Sequence, residues 1–168
     1  GGNYNEITGN TMIGFRDGIH IDDDTDVIIE DNYIESRFWG IYANNAHGEH
    51  IIRNNEFVKY SGDGEWFVYA TNMDNIIIED NTFSGVGGSG FYINNTGADI
   101  KSNLLITPGR AIEITNQAGM EIANNTIIGD GDTDYAIHIS NLSAPIVRNN
   151  IIQGFQNGIY DDNVLANN

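Results

Sequence analysis

Gly18-Ile19-His20-Ile21, then Val27-Ile28-Ile29, then Asn32 with Ile34 two places on: these three pieces, all within residues 18–34, come round again down the whole chain. The first recurs as Gly40-Ile41-Tyr42-Ala43, Phe67-Val68-Tyr69-Ala70, Gly90-Phe91-Tyr92-Ile93, Ala111-Ile112-Glu113-Ile114, Ala136-Ile137-His138-Ile139 and Gly158-Ile159-Tyr160-Asp161. The second recurs as Ile51-Ile52, Ile76-Ile77-Ile78, Glu121-Ile122 and Ile146-Val147. The third is the series Asn10/Met12, Asn32/Ile34, Asn55/Phe57, Asn81/Phe83, Asn103/Leu105, Asn125/Ile127 and Asn150/Ile152, its members 22, 23, 26, 22, 22 and 25 residues apart. A period of about 23 residues is too short to hold a helix pair and points to a solenoid.

Apolar residues at the second and fourth places of Gly-Ile-x-Ile have the period of two of a half-buried strand. The small first place lets the backbone turn tightly into that strand. The second piece is another short strand, its inward residue three before the repeating Asn: Ile29, Ile52, Ile78, Ile100, Ile122 and Val147. The residue two after the Asn opens a third. Three strands per turn, with no interval long enough for a crossover helix, predict an all-β parallel coil of about seven turns. A leucine-rich horseshoe would need regularly spaced Leu and a helical side, whereas Ile dominates here. Antiparallel hairpins would not explain why each position keeps its identity from coil to coil.

Asn at a bend tolerates left-handed torsions, and stacked Asn can pass amide hydrogen bonds from coil to coil about 4.8 Å apart. Two ladders are expected: Asn10, Asn32, Asn55, Asn81, Asn103, Asn125 and Asn150; and Asp23, Asn45, Asn72, Asn95, Asn116, Asn141 and Asn163. The ladders weaken the three formal glycosylation motifs, Asn94-Asn95-Thr96, Asn124-Asn125-Thr126 and Asn141-Leu142-Ser143, since Asn141 is expected inside a turn stack.

From about Asn5 to Asn163 this pattern resembles the right-handed parallel β-helix repeat of the pectate-lyase-like superfamily. The resemblance implies the right hand, in keeping with the general hand of parallel crossovers. It implies no single activity, because the superfamily spans polysaccharide lyases, glycoside hydrolases, uronan epimerases, viral tailspikes and non-enzymatic surface modules. The Asp-Pro-His of alginate epimerases and the Gly-His-Gly of polygalacturonase-like hydrolases are both missing. Asp22-Asp23 is only superficially similar to the paired acids of the latter; hydrolysis would instead have to pair Asp22 with Glu65 or Glu113 across a sugar.

Residues 1–168 read as one domain, expected to be a fragment or module of something larger because neither end has an obvious cap. With 24 acidic and 7 basic residues the formal charge is -17, which disfavours nucleic acid and anionic membrane as partners. No apolar run is long enough to span a bilayer. Without cysteine there is no disulfide or thiolate chemistry. The acidity suits a secreted or cell-surface setting.

Outward residues of a coil stack into rows. The third place of Gly-Ile-x-Ile makes one row of His20, Tyr42, Tyr69, Tyr92, Glu113, His138 and Tyr160, a surface for sugar rings or a sheet-stabilising column. The preceding turns add Arg16, Asp17, Arg37, Trp39, Glu65, Trp66, Arg110, Asp134 and Tyr135. For carbohydrate binding the candidates are Trp39, Tyr69, Tyr92, Arg110, His138 and Tyr160. For β-elimination or C5 epimerisation of a uronan, Arg37 or Arg16 would neutralise the carboxylate, His20 abstract the C5 proton and Tyr42 donate one. Calcium is the cofactor to test, on Asp22, Asp24 and Asp26 or on Asp130, Asp132 and Asp134, all hard oxygen ligands outside any EF-hand pattern. A second outward row, Ile28, Ile51, Ile77 and Ile146, marks a surface for a flanking domain or partner chain. Two classes stay open: a carbohydrate-associated β-helix, as a lyase or epimerase rather than a hydrolase, acting on a polysaccharide or oligosaccharide; and a passive stalk, fibre segment or end-to-end self-associating unit.

Overall fold

The computed structural model describes residues 4–61, 65–141 and 143–162. In them the chain winds as a parallel β-helix of seven coils, and every coil gives one strand to each of three seven-stranded sheets. Sheet A contains Asn5–Thr8, Val27–Glu30, Glu49–Arg53, Asn75–Glu79, Gly97–Lys101, Ala118–Ala123 and Ala144–Arg148. Sheet B contains Thr11–Phe15, Tyr33–Ser36, Glu56–Lys59, Thr82–Gly85, Leu104–Ile106, Thr126–Ile128 and Ile151–Gln153. Sheet C contains Ile19–Asp22, Ile41–Asn44, Trp66–Thr71, Ser89–Asn94, Ile112–Thr115, Tyr135–Ser140 and Asn157–Asp161. No helix among the described residues is long and apolar enough to cross a membrane.

Each inward position sits over its equivalent in the next coil. Ile29, Ile52, Ile78, Ile100 and Ile122 are in register beneath sheet A, all fully buried. Beneath sheet B the column runs Ile34, Phe57, Phe83, Leu105 and Ile127. The middle coils carry the bulk: the Phe57 and Phe83 rings stack 4.7 Å apart, and Phe91 meets Phe83 edge-on at 4.8 Å. Burial of these columns drives winding, since a single coil has no interior of its own.

The first Asn ladder is present and buried through the middle of the molecule. The backbone N–H and the side-chain Nδ2 of Asn32 both donate to Oδ1 of Asn55 at 2.9 and 3.0 Å, and Asn55 does the same to Asn81. Nδ2 also donates to a carbonyl of the preceding coil, as from Asn55 to Ile29 and from Asn81 to Ile52. One correction concerns torsion. The left-handed residue of this bend is the one before each ladder Asn: Gly9, Asp31, Asn54, Asp80, Ser102, Asn124 and Asn149. The ladder residue itself keeps an ordinary backbone because its side chain must reach inward along the stack.

The second bend behaves differently. Here Asp23, Asn45, Asn72, Asn95, Asn116 and Asn141 themselves are left-handed, and they are exposed. Amide links join Asn72 to Asn45 and Asn95 to Asn72, but Asn116 donates to Asn94 and Asn141 to Thr115. Asn141 is therefore a surface residue rather than a member of a closed stack; Asn163 lies outside the described residues. The small residues that open the sheet C strands also have a different reason from the one expected. A Cβ on Gly90 would come within 2.0 Å of the Ala111 carbonyl oxygen, and one on Gly18 within 2.4 Å of that of Gly40, so close approach of coils selects them, not a turn. The outward row Ile28, Ile51 and Ile77 is in register and only half-buried.

Candidate functional site

Strict alternation in sheet C points His20, Tyr42, Tyr69, Tyr92, Glu113, His138 and Tyr160 outward, and pairing places them side by side along the sheet. At one end they form an aromatic column. The His20 and Tyr42 ring centroids are 5.1 Å apart; Tyr42 and Tyr69 are parallel within 4° at 5.4 Å, and Tyr69 and Tyr92 within 11° at 5.0 Å. Parallel rings at this spacing cover much of one another's faces, leaving edges and hydroxyls toward solvent. Burial pushes the Tyr69 and Tyr92 phenols above their ordinary range, helped by Tyr42 and Glu65 for the first and by Tyr69 and Glu113 for the second. They remain neutral donors through physiological pH.

Both tryptophans wall the column, Trp39 from the turn between sheets B and C and Trp66 from the first position of its sheet C strand. Trp39 lies 4.8 Å from the Tyr42 ring and 6.2 Å from those of Tyr69 and His20; Trp66 lies 5.5 Å from Tyr92. Asp17 anchors the His20 end, with Oδ2 at 3.6 Å from His20 Nε2 and 3.9 Å from Arg16 Nη1. The Arg16 guanidinium covers the Phe38 ring at 4.9 Å. Asp17 Oδ1 and Trp39 Nε1 are buried without a hydrogen-bond partner among the described residues. Of the three catalytic candidates, His20 and Tyr42 are neighbours on the sheet, while Arg37 is exposed in the turn, its amide N–H donating to the Phe15 carbonyl.

Beyond Tyr92 the row changes character at Glu113. Arg110 donates to Glu113 at 2.5 Å and lies 6.0 Å from the Tyr135 ring. His138, whose side chain is 14% exposed, has Glu113 Oε1 3.9 Å from Nδ1 and Asp162 Oδ2 3.3 Å from Nε2, a carboxylate on either flank. Tyr135 and Tyr160 stack at 4.5 Å beside it. Three of the six carbohydrate candidates, Trp39, Tyr69 and Tyr92, thus belong to the upper column, and Arg110, through Glu113 and Tyr135, joins His138 and Tyr160 in a separate lower patch.

Several carboxylates of the acidic loops are bonded to their own chain. Asp24 Oδ1 accepts from Asn5 and from the Thr25 amide; Asp26 Oδ1 accepts from the Glu49 amide; Asp130 Oδ1 accepts from the Asp132 amide. Asp22 Oδ1 lies 3.4 Å from Asn44 Nδ2. Among the described residues no three His, Cys, Asp or Glu side chains gather in one group. A recess of roughly 150 Å³ lies at the ends of sheet B strands, lined by Gly85, Ile106, Thr107, Pro108, Ile128, Gly129 and Asp130, apart from the aromatic row.

Sequence reasoning passed over Lys59 and Asp162. Lys59 carried a signal: it stands two residues after inward Phe57, so alternation aims it into the core. It is 1% exposed, and its Nζ donates to the carbonyls of Phe38 and Glu65. Asp162 had none, since its contact with His138 depends on how the last described coil closes.

A family model described as a right handed beta helix region matches residues 1–152. Neither a curated protein nor a solved structure matches the chain.

Proposed function

Because the chain belongs to the right handed beta helix region family, a carbohydrate-associated parallel β-helix fold, we propose that its sheet C face holds a polysaccharide lengthwise and that uronan lyase or C5-epimerase chemistry is seated at the His20 end. The observation that carries this reading is the His20–Tyr42–Tyr69–Tyr92 column walled by Trp39 and Trp66. Its hydroxyl edges recur every coil, a spacing close to that of successive sugar residues, and its rims carry the cations Arg16, Arg37 and Arg110. In an acidic chain these local cations are what an acidic glycan would meet.

For β-elimination, Arg37 or Arg16 neutralises the C6 carboxylate and so stabilises the enolate formed at C5. His20, oriented by Asp17, takes the C5 proton; the C4–O bond then breaks as the C4=C5 double bond forms, and Tyr42 gives its proton to the departing oxygen. In epimerisation the same carbanion is reprotonated from the opposite face and no bond to oxygen breaks. Secretion or display at the cell surface accords with a polymeric substrate.

The self-stacking of Tyr42, Tyr69 and Tyr92 favours a second reading, a non-enzymatic module whose column serves only the sheet. Binding to alginate, pectate and neutral glycans, with and without calcium, separates the two. The first reading expects selective binding lost in Tyr69→Ala/Tyr92→Ala, with ultraviolet absorbance of an unsaturated uronate or C5 deuterium exchange abolished in His20→Ala. Folded protein that binds none of these glycans would leave the module reading.

A further inference from the structure

Lys59 is one of two lysines, and its place in the fold is unlike that of any other cation in the described chain. In sheet B it is in register with Ser36 on one side and Gly85 on the other, so neighbouring coils supply neither a like charge nor bulk. Gly88 clears the space beside it: a Cβ there would lie 2.8 Å from Lys59 Cδ and 2.9 Å from Nζ. The ammonium is 5.4 Å from the centre of the Phe67 ring and is attracted by the charges of Glu65 and Asp17, the latter in turn beside Arg16 and His20. Two carbonyls hold it, and each belongs to the residue immediately before a tryptophan: Phe38 before Trp39, Glu65 before Trp66.

A buried ammonium is costly unless its protons are bonded, so this site is retained at an expense that an aliphatic residue would avoid. What the charge does here is join two turns of successive coils that share no strand at that point. We propose that Lys59 is the positioning residue of the aromatic groove: its ammonium ties the Trp39 turn to the backbone at Glu65 that leads into Trp66, and so sets how the two indoles stand over the tyrosine column. The bearing of this tie on glycan binding rests on the function proposed above; the tie itself does not.

The test follows the two tryptophans and the two lysines together in the intact chain. Burial lowers Lys59 to about 8, whereas the hydrogen bonds of Lys101 with Asp99 and Glu121 raise that lysine, so the two side-chain ¹³Cε signals titrate apart and Lys101→Gln assigns them. Losing the proton turns charge-assisted bonds into weaker neutral ones. The expected result is a change in tryptophan emission whose midpoint coincides with the Lys59 titration, both near pH 8, with far-ultraviolet circular dichroism unchanged. The phenols Tyr69 and Tyr92 are pushed above that window, and the measurement is repeated in His20→Gln so that the imidazole near Trp39 is not the reporter. Lys59→Met, where it folds, should show no such transition. A Lys59 signal that titrates while emission stays flat, or an emission change that persists in Lys59→Met, would overturn the assignment. Failure of glycan binding would count against the groove's proposed function alone.

Discussion

On sheet A the outward charges neutralise one another, while on sheet C the outward rings stack. Sheet A carries Arg53 against Glu30 at 2.7 Å, Lys101 against Asp99 and Glu121 at 2.9 Å each, and Arg148 against Glu121. Half-buried Ile28, Ile51 and Ile77 lie among them. Sheet C spends no charge along Tyr42, Tyr69 and Tyr92, and keeps Arg16 and Arg110 at the rim. The two sheets share coil spacing, hydrogen-bond pattern and core. The difference teaches that the scaffold leaves each outward row to its own side chains, and that the row with uncommitted polar edges is the one suited to a ligand.

Sheets A and C rest on one shared interior and should unfold as one cooperative unit. Ile78 is fully buried beneath sheet A, and Ile78→Asp places a charge in a dry interior. A loss of at least about 4 kcal/mol is expected, enough to unfold the chain. Thermal unfolding followed by circular dichroism should show tyrosine and backbone signals disappearing together. A variant as stable as the parent would reverse the inward assignment of Ile78.

A middle-sized effect sharpens the comparison beneath sheet A. In the column His50, Ile76, Ala98, His50 is the polar member; it is fully buried, and its ring nitrogens have at best a weak bond to the backbone at His47. Burial holds its pKa below the ordinary value, although a backbone hydrogen bond at His47 and the charges of Asp26, Asp24 and Asp74 pull upward. Since the unfolded chain then binds the proton more readily, His50 makes stability fall as pH drops below about 6.5 toward the depressed folded value. His50→Ile should raise stability by about 1 kcal/mol by removing a poorly satisfied buried polar group. It should also flatten the acid limb of a Tm against pH curve. An unchanged acid limb would mean that other groups carry it.

The smallest effect is expected on the ion pairs. Side-chain hydrogen bonds from Lys101 and Arg148 hold Glu121 below the usual carboxylate range. Exposed pairs of this sort contribute little. Glu121→Gln should leave Tm almost unmoved at neutral pH and leave any glycan affinity intact. A clear loss of glycan binding in that variant would shift the ligand surface from sheet C to sheet A.

Much of this was legible without coordinates, for a physical reason that also marks the limit. A strand of period two repeated every 23 or so residues has one self-consistent packing, so Ile29, Ile52 and Ile78 could be assigned inward and Tyr42, Tyr69 and Tyr92 to one row from position alone. The bends were less legible. Both ladders read alike as Asn repeats, yet one uses Asn as an inward hydrogen-bond relay after a left-handed residue, and the other uses Asn as the left-handed residue. The choice depends on which way the side chain faces at each corner.

What the sequence determined by itself is therefore the coil: its period, its three strands, its buried columns and the membership of its outward rows. Those follow from local alternation summed over seven near-identical units. Only the tertiary structure decided what each row does with its side chains: that the tyrosine rings face one another, that Asp17 stands beside His20, and that Lys59 reaches both tryptophan turns. Some of these contacts cross from one coil to the next, as between Tyr42 and Tyr69 or Lys59 and Phe38, and others close a turn within one coil, as between Asp17 and His20; their distances are set by packing rather than by the repeat.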